Sequence, residues 1–523
     1  MRRIKIFWAK RSRVLHSAGQ SIQRFLVPPF SRNTISAVAI ILAVLIAGLG
    51  QHFHLPSVQA QTVGYCRFPE AALTQKRQWQ EAALQGNKEA QRRYTELVKQ
   101  HQERLQRCRA QSWPENQAIW IRLYPCDARP GVLDALFDRI VHLGYNEAYV
   151  EVFYSGQVLL PQAENRSPWP SVLRTSGAEK VDLLAQAIQK GHQRGLKVYA
   201  WMFTMNFGAN YGRIANRQAA IARNSQGKNS LETLHEAGLG FDLNSVNKEE
   251  LFIDPYSDIA RSDYYKLVSE VAKRKPDGIL FDYIRYPRGT GSRSVASRVQ
   301  DLWIYGQASQ QALYQRAQNQ QGLELIRRFL RKGSINGGDM AAIKKAYPGE
   351  SAPLWQGRNL GSSRNNPTMV QQELWYLTVA HAVEGVLDFL SIAATPAQQQ
   401  GIPTGVVFFP DGNQIVGFGF DSRLQAWDRF PTSMEWHPMA YAVCSNPTCV
   451  VSQVERVLKM APSNVNIKPV LAGLWGASHR GRPSLEQQMS SLRQAAPNLR
   501  SVSHFAYSWQ EPEIDRARKQ CRL

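Results

Sequence analysis

Residues 264–284 read YYKLVSEVAKRKPDGILFDYI and change hydrophobic period within 21 positions. The apolar residues of the first half follow the spacing of one helical face: Tyr264, Leu267, Val268 and Val271. After Pro276, the run Gly278–Ile284 is short, apolar and preceded by turn residues, which is typical of a buried strand. A helix that leads directly into a buried strand is the repeating unit of an α/β protein.

The same alternation continues from residue 117 onward. Strands are predicted at 118–124, 148–154, 197–203, 278–284, 404–409, 436–441, 467–473 and 501–508. Helical spacing separates most of them, at 133–140, 181–188, 264–271, 370–393, 449–459 and 485–494. Eight such units predict an α/β fold of the (β/α)8 TIM barrel type, a closed ring of parallel strands inside a ring of helices. A doubly wound open sheet is the alternative.

The chain divides into three predicted parts. Residues 1–60 are a basic N-terminus with an apolar segment, residues 61–112 a helical hairpin, and residues 113–515 the barrel. The barrel region is longer than the roughly 250 residues typical of this fold. The surplus falls mainly at 288–366, which predicts a mostly helical insertion between the fourth strand and its helix, on the loop side where such barrels keep their sites.

Alternation along the strands predicts which side chains point into the barrel. These are Trp120, Arg122, Tyr124, Tyr149, Glu151, Phe153, Tyr199, Trp201, Phe203, Leu280, Asp282, Ile284, His437, Met439 and Tyr441. Arg122, Glu151, Asp282 and His437 therefore converge on one interior, where unpaired charge is costly. An Arg122–Glu151 ion pair between neighbouring strands is the structural alternative for two of them. Asp282 lies near the C-terminal end of its strand, where barrel enzymes place catalytic groups.

This arrangement suggests glycoside hydrolysis. Cleavage of an acetal needs a proton donor for the leaving oxygen and a carboxylate that meets the oxocarbenium-like centre or activates water. We expect Asp282 to be the nucleophile or base. The second carboxylate stays open between Asp411, which follows the fifth strand in FFPDGN, Glu151, and Glu511 after the eighth strand.

Residues at strand and loop ends are candidates for binding the sugar. Arg122, Arg285 and Tyr286 are expected to shape the subsite, and aromatic rings are expected to stack on sugars. The full predicted substrate-binding set is Arg122, Tyr124, Trp201, Asn206, Arg285, Tyr286, His437, Tyr441 and Trp509, with Trp475 as a further aromatic candidate. Each aromatic residue taken alone is more often part of a core. Asp254-Pro255 ahead of a helix is interpreted as an N-cap with Pro at the first helical position, rather than as a catalytic acid.

The N-terminal region is interpreted as a targeting segment. Residues 1–33 hold eight Lys/Arg and no acidic residue, and Ile35–Gly50 is a run of sixteen residues without charge. That length is just below the roughly 17–25 residues of a membrane span. The basic flank places the N-terminus in the cytoplasm and the rest of the chain across the membrane. Val58-Gln59-Ala60 offers a cleavage site for a signal peptidase, and an uncleaved anchor is the alternative.

The charge of the chain permits an anionic partner, such as an acidic glycan, a membrane surface or nucleic acid, without choosing among them. The net charge is +22, and +14 remains after the eight cations of residues 1–33 are removed. A basic protein suits an anionic partner, and we expect a polysaccharide substrate, with an acidic one favoured by the charge. Nucleic-acid binding is not expected, because no ordered pattern of arginine and aromatic residues accompanies the charge. The motifs of common metal and cofactor sites are missing from the sequence, so neither a metal nor a cofactor is expected.

The cysteines agree with export. All six follow the apolar segment, and an even number on the exported side suggests disulfides. Cys66 and Cys108 lie 20 residues before and 22 residues after Gly86, so two helices folded back at Gly86 would bring them together as a disulfide. Cys444 and Cys449 are close enough in sequence to form the ends of a small loop.

Several segments resemble a known family. They are Ser167-Pro168-Trp169, KGHQRGLKVYAW (190–201), LFIDPYSDIARSDYY (251–265), DGILFDYIRYP (277–287) and DSRLQAWDRFPTSMEWHPMAY (421–441). Together they are similar to the glycoside-hydrolase-like family 10 proteins, and the likeness extends in pieces over residues 117–510. The segment ending in FDYIRYP is the most specific of them.

The resemblance implies a (β/α)8 barrel and a glycosidase that is exported and often located at the cell envelope. Asp282 matches the Asp at the end of the family's fourth strand. Tyr283 stands where the family has a second Asp, Glu151 stands where it commonly has a Gln, and the insertion 288–366 is outside the common pattern. A barrel without activity, which binds glycan or scaffolds the envelope, is therefore the second hypothesis. Hydrolysis requires a second carboxylate roughly 5–9.5 Å from Asp282, whereas binding requires only aromatic platforms.

Overall fold

Eight parallel strands close into a barrel in the computed structural model, which describes residues 65–236, 249–360 and 366–522. The strands are β1 (Asn116–Arg122), β2 (Glu147–Tyr154), β3 (Lys197–Phe203), β4 (Gly278–Asp282), β5 (Thr404–Phe408), β6 (Glu435–Ala440), β7 (Val470–Ala472) and β8 (Ser501–Phe505). Each strand pairs with its neighbours in sequence, and β1 pairs with both β2 and β8. The predicted closed barrel is confirmed, and the open sheet is excluded. The apolar segment 35–50 and the cleavage site 58–60 lie outside the described residues.

Helices surround the strands, and most connections contain one. The longer helices are α1 (Glu70–Leu84), α2 (Lys88–Ala110), α3 (Val132–His142), α4 (Leu183–His192), α5 (Asp258–Ala272), α6 (Gln307–Tyr314), α7 (Gln320–Lys332), α8 (Gly337–Ala346), α9 (Pro367–Gln399), α10 (Thr448–Met460), α11 (Leu485–Ala495) and α12 (Pro512–Lys519). The connection from β5 to β6, which the structure describes along its whole length, differs from the others because it contains no α-helix. It holds a small antiparallel hairpin, Ile415–Val416 with Gly419–Asp421, and a 3-10 turn, Trp427–Arg429. The resemblance to the family includes segment 421–441 and implies a Trp-bearing helix before β6, but the structure has only this turn there.

The centre of the barrel is filled with aromatic rings. Trp120 contacts Tyr149 and Trp201 edge-on, with ring centroids 4.9 Å apart in both pairs. Tyr149 also contacts Tyr199 at 5.2 Å and His437 at 5.5 Å. All five residues point inward as their strand alternation predicts. The interior is a packed core and not a pore, so any site must lie at an end of the barrel.

Phe153 is one of the residues that were predicted to point inward and do not. A bulge in β2 between Glu151 and Phe153 shifts the register against β3, so that Phe153 aligns with Met202. Its ring therefore packs on Trp169 and on Tyr264 of α5, on the outside of the barrel. The prediction that Phe153 points inward is wrong because strict alternation fails at a bulge.

The segment before the barrel is a pair of helices that docks on α3 and α4 through buried polar groups. The predicted Cys66–Cys108 disulfide is present. Asp138 of α3 accepts hydrogen bonds from the Tyr94 hydroxyl at 2.7 Å and from Arg194 Nε at 2.7 Å, and it forms an ion pair with Lys76 at 3.2 Å. Such satisfied polar contacts explain how helices with few apolar residues are held on the barrel.

The start of this segment also covers Trp475. The Trp475 ring lies 4.8 Å from Tyr65 and 5.2 Å from His504, and its Nε1 donates to the Tyr145 hydroxyl at 3.2 Å. These contacts occupy the ring. The prediction that Trp475 stacks on sugar is corrected, since the ring packs between elements of the protein.

Residues of α12 and just after it are bound to the connection between β1 and α3. Arg518 of α12 forms an ion pair with Asp127 at 2.6 Å, and Cys521 forms a disulfide with Cys126. Sequence reasoning did not assign this pairing, which joins residues 395 positions apart. The third disulfide, Cys444–Cys449, forms the small loop predicted from its spacing.

The insertion after β4 is attached through Asp254, which is completely buried. Oδ2 of Asp254 accepts a hydrogen bond from the Ser309 amide of α6 at 2.9 Å. The interpretation of Asp254 as an N-cap is wrong, because Ser257 caps α5 by accepting from the Ala260 amide. Asp254 instead joins the α5 loop to the insertion.

Helix α9 follows the insertion and is the core helix behind β4. Among the described residues, it is the helix long and apolar enough to span a membrane by length and composition. Of its most apolar window, 67% is buried inside the protein. Its packing against α5 and the barrel accounts for its apolar character.

Candidate active site

Asp282 is the last residue of β4 and stands at the C-terminal end of the barrel, where the strands lead into their longer connections. Its partner in register is Phe203, the last residue of β3. At the start of β4, Gly278 leaves room for the Tyr199 ring, since a Cβ atom there would lie 2.2 Å from Tyr199 Cε1. This close approach allows β4 to pair with β3 in the register that aligns Asp282 with Phe203.

The chain turns sharply just after Asp282. Tyr283 has a φ of 54°, a left-handed conformation that residues other than glycine adopt rarely. The turn brings the Tyr283 amide to Oδ1 of Asp282 at 2.6 Å, and Oδ2 accepts from Nε1 of Trp201 at 3.1 Å. The Tyr283 hydroxyl donates to Oε1 of Glu250 at 3.0 Å. The carboxylate is therefore held in one orientation by a donor on each oxygen.

Burial sets the acidity of Asp282. The residue is 6% exposed, and its burial raises the pKa to about 6. The Tyr283 amide, the Arg285 guanidinium and the Trp201 indole act against this shift, whereas the negative charge of Glu151 adds to it. The result is a carboxyl group that gains and loses its proton near neutral pH, which is the range useful for general acid–base catalysis.

Aromatic residues line one side of the opening around Asp282. The Phe505 ring lies 6.3 Å from Trp201, 5.7 Å from Tyr441 and 5.8 Å from Trp509. Burial, and then the charge of Asp282, raise the pKa of Tyr441 well above its ordinary value, so its hydroxyl stays protonated near this carboxylate. The structure thus brings together three predicted sugar-binding residues, Trp201, Tyr441 and Trp509.

Phe505 is the member of this group that sequence reasoning missed. It is the last residue of β8, two positions after Ser503. Oγ of Ser503 accepts a hydrogen bond from Trp120 Nε1 at 2.9 Å inside the barrel. Alternation from Ser503 would have placed Phe505 on the same inward side. The polar Ser501 and Ser503 hid the inward face of this strand from a search for apolar residues.

Arg122 and Glu151 form the ion pair that was the structural alternative for them. They are aligned on β1 and β2, and Nε of Arg122 donates to Oε2 of Glu151. Glu151 is 2% exposed, whereas 39% of the Arg122 side chain is exposed, and its guanidinium lies over the Tyr154 ring at 4.1 Å. Glu151 already has a cationic partner, yet it is close enough to Asp282 to raise its pKa.

Arg285 lies on the other flank of the turn at Tyr283. Three aromatic rings surround its guanidinium, with distances to their centroids of 4.5 Å for Tyr283, 5.4 Å for Phe252 and 6.0 Å for Phe409. Phe409 directly follows β5, so this pocket of rings belongs to the C-terminal end of the barrel. The structure therefore places Arg285 near Asp282, where its positive charge acts to lower the pKa of that carboxyl group.

Two tyrosines predicted at the subsite lie elsewhere. The Tyr124 hydroxyl donates to Asp515 of α12 at 3.0 Å. Tyr286 is completely buried, with its hydroxyl 3.5 Å from the Ala382 carbonyl oxygen on α9. Strands β1 and β4 each end two residues earlier than predicted. Alternation stops where a strand ends, so it gave Tyr124 the wrong direction, and Tyr286 lies beyond the end of β4.

The side chains of Asn206 and His437 are engaged with other groups of the protein. Oδ1 of Asn206 accepts from the amides of Gly208 at 3.2 Å and Leu251 at 3.1 Å, so this side chain joins two loops. His437 points into the barrel as predicted, but towards its N-terminal end. There Nε2 lies 3.4 Å from Glu435, the first residue of β6. Both are corrections to the predicted substrate-binding set.

All three candidates for the second carboxylate are engaged in ion pairs, Glu151 with Arg122 as described above. Asp411 lies 3.0 Å from Nη2 of Arg423, a completely buried guanidinium. Glu511 lies 2.9 Å from Nη2 of Arg139 on α3, a helix on the outside of the barrel. Glu151 is the candidate that points into the same interior as Asp282. Within the described residues, no group of three His, Cys, Asp or Glu side chains is placed to hold a metal ion.

Comparison with known proteins gives a match in this part of the chain. Residues 121–323 match the model of the family described as Glycosyl hydrolase-like 10. Glycosyl hydrolase DigH of Escherichia coli (strain K12) is 26% identical over 189 residues, which are 35% of this chain and 40% of DigH. The match therefore spans well under half of that relative.

Solved structures give weaker matches. A hypothetical protein from Ruminiclostridium thermocellum ATCC 27405 shares 16% identity with a TM-score of 0.23, covering 32% of this chain and 77% of that one. A GH18 chitinase from Pseudoalteromonas aurantia shares 11% identity with a TM-score of 0.34, covering 77% of this chain and 99% of that one. The family match confirms the resemblance seen in the motifs: over residues 121–323, this chain is similar to the Glycosyl hydrolase-like 10 family.

Proposed function

We propose that the protein is a glycoside hydrolase that acts on a polysaccharide, with Asp282 as its central carboxyl group. The family match and the similarity to DigH support a glycosidase-type enzyme. The observation that carries the proposal is the position of Asp282. A buried carboxyl group with a pKa near 6 stands at the end of the barrel where enzymes of this fold work, beside a group of aromatic rings.

The raised pKa favours Asp282 as the proton donor rather than as the nucleophile or base expected from sequence. A carboxyl group that is protonated near neutral pH can donate its proton to the glycosidic oxygen as the bond breaks. Glu151 would then be the carboxylate that faces the oxocarbenium-like centre or orients water. Strands β2 and β4 are separated by one strand, or about 9–10 Å. Inward side chains from them suit the roughly 5–9.5 Å between glycosidase carboxyls.

We further propose that the enzyme works outside the cytoplasm, on an envelope or extracellular glycan. The basic flank and the apolar run 35–50 support export, with residues 35–50 as a signal segment or membrane anchor. The three disulfides support an oxidising compartment.

The test is hydrolysis of a panel of soluble polysaccharides by the full chain in detergent, measured as new reducing ends. Asp282→Asn should lower the rate by at least about a thousandfold, because the group that transfers the proton is lost. Asp254→Asn is the matched control, since burial also raises the pKa of Asp254 to about 6 and its oxygens likewise accept amide hydrogen bonds. Full activity of Asp282→Asn would refute the assignment, provided that the wild type cleaves the same glycan.

Two observations favour the second candidate, a barrel that binds glycan without cleaving it. Glu151 is tied to Arg122, and Tyr283 occupies the position of the family's second Asp. If wild type and Asp282→Asn bind the same polysaccharide equally and neither releases reducing ends, binding without catalysis is the better description.

A further inference from the structure

Arg285 is a buried cation without an anionic partner in the part of the chain that the structure describes. The residue is 7% exposed, and its Nη1 donates to the Tyr286 carbonyl oxygen at 3.0 Å. No carboxylate among residues 65–236, 249–360 and 366–522 forms an ion pair with it. A buried charge that lacks a partner costs free energy, so its retention needs a reason.

Other buried arginines of this protein show what the usual solution is. Arg194, Arg423 and Arg518 are each at most 1% exposed. Each of them forms ion pairs with two Asp side chains. Arg109 has no carboxylate but donates to two main-chain carbonyl oxygens. Arg285 has one such carbonyl, and its remaining N–H groups are left for a ligand.

The surroundings of Arg285 position the guanidinium without neutralising it. The rings of Tyr283, Phe252 and Phe409 attract it through cation–π contacts, which supply no negative charge. They also hold the planar group rigidly, as bidentate recognition of an anion requires. Asp282 is near enough for Arg285 to lower its pKa, so the free N–H groups lie within reach of a sugar bound at Asp282.

The rim of the same opening carries further positive charge. Arg480 lies over the Trp509 ring at 5.2 Å, and Arg482 donates to the Tyr441 carbonyl oxygen at 2.9 Å. Neither has an ion pair within the described residues. Unpaired cations at the mouth attract an anionic polymer, although exposed charges are screened by salt.

We propose that Arg285 binds a carboxylate carried by the glycan, so that the substrate is an acidic polysaccharide with a uronic-acid type unit next to the cleaved bond. The inference rests on the proposed function for the location of the sugar. A bound carboxylate also has a consequence for the chemistry. It neutralises Arg285, which otherwise favours ionised Asp282, and the Asp282 proton is then retained until the glycosidic oxygen takes it.

The test measures binding rather than cleavage, so that it is independent of the hydrolysis experiment. Polygalacturonate, alginate and hyaluronate oligosaccharides are each titrated beside their methyl esters, using the full chain with Asp282→Asn to prevent turnover. The ester removes the charge and keeps the sugar. Sulfated dextran beside dextran reports whether any anionic group suffices.

We expect at least one free acid to bind about tenfold or more tightly than its ester at physiological salt. Arg285→Gln should remove this preference, and Arg285→Lys should restore part of it because charge remains without the bidentate fork. Arg480→Gln is the comparison variant: it removes the same charge from the exposed rim, where salt screens it, and should lower the preference for the free acid much less than Arg285→Gln does. Unchanged thermal unfolding of each variant excludes loss of the fold.

Three results would overturn the proposal. They are equal binding of every acid and its ester, an equal loss of preference in Arg285→Gln and Arg480→Gln, and tighter binding of sulfated dextran than of any uronate. None of these results bears on whether Asp282 is needed for hydrolysis, so failure of the subsite and failure of the proposed function can be told apart.

Discussion

At the N-terminal end of the barrel, Lys468 lies 3.1 Å from Glu435 and 3.5 Å from Glu147, and the three charges neutralise one another in part. At the C-terminal end, Asp282 and Arg285 are equally buried, yet neither forms an ion pair within the described residues. Both ends place charge inside the same ring of strands. Charge that serves the scaffold is buried together with its partner, whereas Asp282 and Arg285 are buried without one, in agreement with the ligand-directed roles proposed for them.

The two ends also differ in acidity. Burial acts to raise the pKa of Glu435, but the contacts with His437 and Lys468 outweigh it and lower the pKa to about 2. Burial dominates at Asp282 and raises its pKa to about 6. Glu435 therefore adds stability that is present above its unfolded pKa of about 4.3 and is lost as the pH falls towards 2. Asp282 adds stability that is present below its unfolded pKa of about 3.9 and is lost as the pH rises to 6.

Lys468→Met is expected to have the largest effect, a loss of about 3–5 kcal/mol in the free energy of unfolding, because it leaves Glu147 buried without a cation. Urea unfolding at pH 7 measures it. Lys459→Met on the exposed face of α10 is the control and should change stability by less than about 0.5 kcal/mol. Adding Glu147→Gln should recover part of the loss, and a double variant as unstable as the sum of both changes would show that the cluster is not coupled.

Glu435→Gln comes next, with an expected loss of about 2 kcal/mol at pH 7. The loss should shrink by more than half at pH 3, where the wild-type advantage has largely gone. Urea midpoints at both pH values check this, and Glu513→Gln on the exposed surface of α12 should show no comparable change. A loss that is equal at both pH values would assign Glu435 a packing role instead of an electrostatic one.

Asp282→Asn is expected to stabilise the protein by about 1–2 kcal/mol at pH 7, because the wild type must keep an unpaired carboxylate ionised in a buried place. The gain should disappear at pH 4, where the wild-type carboxyl group is protonated. Calorimetric unfolding across pH 4–7 follows it. If the variant is less stable than the wild type at pH 7, the carboxylate is part of the scaffold, and the contrast between the two ends fails.

Trp201→Phe should cost about 1–2 kcal/mol in the free energy of unfolding, because it removes one hydrogen bond and leaves a void where the larger indole packed, and its informative effect is the small change in the acidity of Asp282. Without the indole donor, the pKa of Asp282 should rise by up to about one unit above 6. The pH dependence of unfolding, or of hydrolysis once a substrate is known, reports the shift. Trp509→Phe, which keeps the Trp201–Asp282 bond, should leave that pH dependence where it is.

The sequence predicted the barrel well because its signals are local and repeated eight times. Strand β3 was predicted to the residue, and the others within a few positions at either end. The Cys66–Cys108 disulfide was predicted from the similar lengths of two helices that fold back at Gly86, and these lengths are also local quantities. Phe153 failed because a bulge in β2 depends on the neighbouring strand, and no periodicity within β2 reports it.

The candidate site was predicted less completely. Asp282, Arg285, Trp201, Tyr441 and Trp509 lie around one opening, because each is at or near the end of a strand whose direction was known. Tyr124 and Tyr286 lie beyond the ends of their strands and were predicted at the wrong places. The Asn206 side chain binds main-chain amides and joins two loops. Their positions depend on turns and on partners that are distant in the chain.

What the sequence determined by itself is the ring of strands and the inward position of Asp282, and it also predicts that a basic, apolar N-terminus directs the barrel out of the cytoplasm. These follow from hydrophobic periods and from charge counts along the chain. Only the tertiary structure decided which charged groups form ion pairs and which distant cysteines are joined. Arg122 with Glu151, Asp411 with Arg423, Glu511 with Arg139 and Cys126 with Cys521 are neighbours in space but not in sequence. The burial that raises the pKa of Asp282 is likewise produced by the surrounding fold and cannot be read from the residues beside it.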